Sequence, residues 1–208
     1  MLGQNFKLVG GTIGDLSDMM DASSLAAMDT DSMTFATELF TWNGVGYDTV
    51  GWTGDVGDPD YDNKWVDELS LEEASLEKAN GEGFWISSTG GGTVTFSGEV
   101  DSEASVTVSL APGYNLVANP FPETIPLSRI TSTTLPAMDT DSMTFSAELL
   151  TWNGRGYDTV GWTGNVGDPD YDNKWVDELS LEEPATTLDI GKGCFIKTSV
   201  SADVTFTK

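Results

Sequence analysis

The chain has 208 residues, with 34 Asp+Glu against 9 Lys+Arg, no His, and a formal net charge of −25. A chain this acidic lacks the clustered Lys/Arg that nucleic-acid phosphates or anionic lipid headgroups require, so neither nucleic acid nor a membrane surface is an expected partner. The absence of His removes His-based triads and general bases, and the single cysteine, Cys194, removes any intrachain disulfide or CxxC site.

With 38% apolar and 10% aromatic residues the composition supports packed cores, enough for one large domain or two of about 100 residues each. The opening segment MLGQNFK has no basic region followed by an apolar one, and no apolar run approaches about 18 residues, so no membrane insertion is expected. A mature exported protein reads the same way.

Predicted elements, in chain order, begin with a short strand in NFKLVGG (5–11) and helical turns within 15–27. ELFTWNGVGYDTVGW (38–52) then places Asn-Gly between two aromatic-rich runs, which predicts a hairpin with a four-residue loop, Asn43 to Gly46. An acidic loop, WTGDVGDPDYDNKW (52–65), is followed by VDELSLEE (66–73), a further candidate for helical turns. GFWIS (83–87) and VTF (94–96) are strand-like, and TVTFSGEV (93–100) is expected to turn through 101–103 into ASVTVSL, forming a hairpin. Strands VTVSL (106–110) and YNLVA (114–118) come next, then a turn near Pro126–Ile130 and a second Asn-Gly hairpin at 148–162 with its loop at Asn153–Gly156. CFIKT (194–198) and VTF (204–206) close the chain. The expected class is all-β, as two tandem small sandwiches or barrels.

Internal similarity sets that tandem reading. Residues 28–73 recur at 138–183 with an offset of 110 and are identical at 41 of 46 positions, whereas 74–98 matches 184–208 at only 6 of 25. The changes inside the block are Ala36/Ser146, Thr37/Ala147, Phe40/Leu150, Val45/Arg155 and Asp55/Asn165. Upstream, NFKLVGG answers to YNLVANPF (114–121) after a two-residue gap, so the expected domains are 1–98 and 104–208, joined by a turn at 99–103. Duplication confined to the middle explains the identity; so does a surface used the same way twice, because packing alone tolerates volume-conserving swaps.

GYNLVANPFP (113–122), TWNGRGY (151–157), GEGFWI (81–86) with GKGCFI (191–196), and the closing TVTF/DVTF strand together resemble a tandem-repeat β module of exported proteins of environmental bacteria. That resemblance implies an exported, β-rich chain without assigned enzymatic activity. The first copy departs from it at NFKLVGGTIGD, which lacks the Asn-Pro-Phe-Pro step.

Four features are candidates for function. Asp58, Asp60 and Asp62 with Asn63, repeated as Asp168, Asp170, Asp172 and Asn173, alternate oxygen donors along a loop as a Ca²⁺ site requires, although the EF-hand pattern fails at Asn63 and Leu69. The competing reading is a solvated acidic loop with Asx-turns. Aromatic residues among Asp, Asn and Gly form a second candidate, a surface for glycans or for a protein partner: Trp42, Tyr47, Trp52, Tyr61 and Trp65, with Trp152, Tyr157, Trp162, Tyr171 and Trp175. Strand alternation is expected to turn about half of them inward. Third, Asn5, Phe6, Leu8 and Val9 at one end, with Val204 and Phe206 at the other, are expected to be open strand edges that join copies of the chain head to tail. Repeating such a heterologous contact builds an open filament. Last, Cys194 aligns with Phe84 and reads as a buried small hydrophobe.

The leading expectation is therefore a non-enzymatic extracellular or cell-surface structural protein, assembling with itself into a fibre or surface layer, with Ca²⁺ as the candidate cofactor. A Ca²⁺-dependent carbohydrate-binding or adhesive module is the alternative. A hydrolase, which needs only two suitably spaced carboxylates, comes third.

Overall fold

The computed structural model describes residues 7–10, 14–97 and 103–208. It is all-β, and two five-stranded antiparallel sheets dominate it. The first orders its strands Lys7–Gly10, Gly83–Ser88, Thr37–Trp42, Tyr47–Trp52 and Trp65–Asp67; the second runs Gly113–Ala118, Gly193–Thr198, Ala147–Trp152, Tyr157–Trp162 and Trp175–Asp177. Register repeats with the order: Trp42 faces Tyr47 as Trp152 faces Tyr157, and Leu8 faces Trp85 as Leu116 faces Phe195.

Alternation along each strand gives each sheet two apolar faces. One face of the first sheet carries Leu39, Trp52, Phe84 and Ile86, which pack with Leu16, Met20 and Leu76. On the second sheet Leu149, Trp162 and Ile196 pack with Ile125, Ile130 and Phe206. The core of the second half lies between its five-stranded sheet and a three-stranded one ordered Ser105–Leu110, Ala202–Thr207, Ile130–Thr131. The opposite faces meet each other, through Trp85, Leu116 and Phe195 with Phe40, Trp42 and Leu150 around them. At that junction Glu82 bridges to Val117, and the Ala118 amide donates to the Gly81 carbonyl at 2.8 Å.

Three expectations are corrected. Ser105–Leu110 does not pair with the described part of the expected hairpin, 93–97, but pairs along its whole length with Ala202–Thr207, Val106 facing Phe206 and Val108 facing Val204. Val204 and Phe206 are fully buried, held between Ser105–Leu110 and Ile130–Thr131, so the last strand is not an open edge. Among the described residues helix is confined to Leu16–Met19 and a 3₁₀ turn at Leu127–Arg129. VDELSLEE instead ends a strand and turns: Asp67 Oδ1 accepts the Leu69 and Ser70 amides at 3.0 and 2.8 Å, and Leu71 takes φ 58°. Eight residues are too few to nucleate an isolated helix, and the Asx-turn satisfies the backbone at once.

Of the remaining edge residues, Asn5 and Phe6 lie outside the described residues, and Leu8 and Val9 belong to the edge strand Lys7–Gly10. Cys194 is buried, and burial pushes its thiol up to about 12, so it stays a protonated packing residue.

Candidate aromatic binding cleft

Each Asn-Gly hairpin is locked by its own asparagine. Asn43 Oδ1 accepts the Val45 and Gly46 amides at 3.1 and 2.9 Å while its Nδ2 donates to Asp48 at 2.8 Å, and Asn153 repeats the pattern with Arg155, Gly156 and Asp158. Gly44 and Gly154, at φ 98° and 94°, supply the left-handed step that a side chain would resist. The locked loops place Trp42 against Tyr47 and Trp152 against Tyr157, edge to face, with centroids 5.0 and 5.2 Å apart.

Both hairpins project these rings into the junction between the sheets. Trp42 meets Phe195 edge-on at 5.9 Å, and Trp152 meets Trp85 edge-on at 6.5 Å. Because position 85 of one copy corresponds to 195 of the other, the two contacts are reciprocal, the signature of an approximate twofold. Phe40, Tyr47, Trp85, Trp152 and Tyr157 enclose an open cleft of about 350 Å³ there. Tyr47, Tyr157 and Trp152 remain 44%, 43% and 39% exposed, so aromatic surface is accessible in a largely apolar wall. Burial raises the Tyr47 phenol above its ordinary pKa, the neighbouring Tyr157 adds to this, and the Trp85 indole N–H partly opposes it. Tyr157 is raised by burial. Both phenols are therefore neutral near pH 7 and present O–H donors. No known protein family, curated protein or solved structure matches the chain.

The structure thus divides the ten aromatic candidates. Tyr47, Trp152 and Tyr157 line the cleft, and Trp42 flanks it, half-buried, with its indole N–H donating to the Tyr114 carbonyl at 2.6 Å. Tyr61 and Tyr171 are exposed on the acidic loops, away from the cleft lining. Trp52, Trp65, Trp162 and Trp175 are corrected from surface to core: each is 6% exposed or less, and they stack as cross-strand pairs, Trp52 on Trp65 at 5.3 Å and Trp162 on Trp175 at 5.1 Å. Strand parity decides this, since Trp52 shares a face with Val50 whereas Trp42 shares one with Phe40. Phe40 and Trp85 went unnoticed in the sequence as site residues. Phe40 was detectable, two residues before Trp42 on the same face, but Trp85 sits in a continuous apolar run whose faces only pairing can assign.

The acidic loops are tied by their own carboxylates. Asp62 Oδ1 accepts the Val56 and Asp58 amides at 2.8 and 3.2 Å, Asp58 Oδ1 accepts the Asp60 amide at 3.1 Å, and Asn63 takes φ 56° to close the turn. Asp172, Asp168, Asp170 and Asn173 repeat these features. Among the described residues no three Asp, Glu or Cys side chains form a group able to hold a metal ion.

Proposed function

We propose that the protein is a non-enzymatic, extracellular binding module whose aromatic cleft takes a neutral ligand with flat C–H faces, best matched by the sugar rings of a glycan. The observation that carries the reading is the convergence of Phe40, Tyr47, Trp85, Trp152 and Tyr157 on one open space of about 350 Å³. That volume lies in the range of small-ligand clefts. Exposed aromatic faces supply stacking area, and neutral tyrosine hydroxyls supply orienting hydrogen bonds. A net charge of −25 disfavours anionic ligands.

The test is a titration of neutral oligosaccharides (gluco-, xylo- and manno-series) followed by tryptophan fluorescence, with Trp85 and Trp152 as reporters. Saturable change is expected with at least one series, weakened about tenfold or more by Tyr47→Ala combined with Tyr157→Ala. The control Tyr61→Ala with Tyr171→Ala should bind like the parent. No saturable response in any series would falsify the reading.

A further inference from the structure

The two closing strands, TVTFS (93–97) and DVTFT (203–207), are near-copies with different surroundings. In the second half, Ala202–Thr207 lies between Ile130–Thr131 and Ser105–Leu110, and Val204 and Phe206 are both 0% exposed. In the first half, Met20–Asp21 pairs with Thr95–Phe96 on the side equivalent to Ile130–Thr131, Met20 facing Phe96 as Ile130 faces Phe206. On the other side no described residue pairs with it, and Val94 and Phe96 are only partly buried where they pack on the core around Phe84.

Backbone parity shows what that edge offers. Lys208 donates its amide to the Ala104 carbonyl at 3.0 Å, so in the second half the amides of residues 208, 206 and 204 point toward Ser105–Leu110, and Val106 and Val108 return the bonds to Phe206 and Val204. In the first half Ser97 donates its amide to Met19 at 2.9 Å, toward the strand already paired, which leaves the amides of Phe96 and Val94 directed at the open side.

We infer that the Val94–Phe96 edge is an acceptor for an extended segment of a separate polypeptide. The segment pairs antiparallel and places β-branched side chains over Val94 and Phe96, as Val108 and Val106 cover Val204 and Phe206. The chemistry of the occupant is fixed by the second half, where the same edge already holds Ser-Val-Thr-Val-Ser-Leu. A second copy is not the occupant: among the described residues each chain has two such edges and one such strand, and giving that strand away uncovers its own Val204 and Phe206. The mode is strand addition, in which main-chain bonds supply affinity and alternate side chains supply selectivity. It concerns a surface separate from the aromatic cleft, so either reading can fail alone.

The experiment uses the full chain and a fluorescein-labelled peptide of residues 104–111, read by anisotropy and by amide hydrogen exchange. Saturable binding at one peptide per chain is expected, with exchange slowed at the Val94 and Phe96 amides. N-methylation of the peptide at the positions of Val106 and Val108 removes the bonds to the edge and should weaken binding about tenfold or more. N-methylation at Thr107, whose amide points away, should leave it unchanged. The inference is overturned by absence of saturable binding, by equal affinity of the two methylated peptides, or by slowed exchange confined to 202–208. It is also overturned by a peptide-free dimer that protects the Val94 and Phe96 amides, which makes a second copy the occupant.

Discussion

Single residues show how the two near-identical blocks acquire different properties. Glu68 and Glu178 are equivalent carboxyls, both raised in pKa first by burial and then by a neighbouring carboxylate, Glu38 in one case and Glu148 in the other. In the second half Lys197 lies within 2.9 Å of Glu148 and partly offsets the shift at Glu178, whereas the position matching Lys197 is Ser87, without charge. A carboxyl raised in the folded state contributes stability below its unfolded pKa and loses it as pH rises through the folded value. Glu68→Gln should therefore raise Tm at pH 7, the gain vanishing below about pH 4 where glutamate is protonated in both states. Glu178→Gln should gain less. Thermal melts of both variants across pH check the pair.

At the scale of elements, the Tyr47–Trp52 strand needs a glycine where an aromatic ring crosses it. A Cβ built on Gly51 meets the Phe35 ring at 2.2 Å, and one on Gly161 meets Phe145 at 2.2 Å. Gly51→Ala should cost about 3 kcal/mol by overpacking, while Gly46→Ala, whose Cβ meets nothing within 4 Å, should stay near neutral. Denaturant melts at constant m distinguish them.

Strands and turns of this kind were legible in the sequence because their causes are local. β-branched and aromatic runs located Gly83–Ser88, Gly113–Ala118 and Gly193–Thr198 within a residue or two, and Asn-Gly marked both hairpin loops. What pairs with Ser105–Leu110 was not legible: TVTF and DVTF are chemically equivalent partners, and the choice is made about 100 residues away by the core that Val204 and Phe206 enter. The cleft was half legible. Its tyrosines and Trp152 could be named from their polar neighbours, but Trp85 owes its place to cross-strand pairing with Phe40 and to a sheet contributed by the other end of the chain.

For the whole molecule, the decisive contact is the meeting of the two sheets through Trp85, Leu116 and Phe195, each 6–7% exposed. Truncating Trp85 to Ala should cost about 3–5 kcal/mol, the usual penalty for emptying a large aromatic site. Combined with Phe195→Ala it should uncouple the halves, so that one calorimetric transition becomes two. A single transition in the double variant would show that coupling resides instead in the backbone bridge at Glu82 and Val117.

The approximate twofold that relates the halves is broken at the cleft walls: Phe40 and Trp85 correspond to the smaller Leu150 and Phe195. Perfect symmetry would offer a bound chain two equivalent orientations, related by a half-turn over the Tyr47 and Tyr157 rings. Unequal walls lift that degeneracy. If the proposed glycan reading holds, a ligand with distinct ends, such as an oligosaccharide with a reducing and a non-reducing terminus, would meet unequal sides and be held in one direction. The two differences, Phe40 against Leu150 and Trp85 against Phe195, thus give this surface polarity, a property that a single repeat paired with an identical copy does not possess.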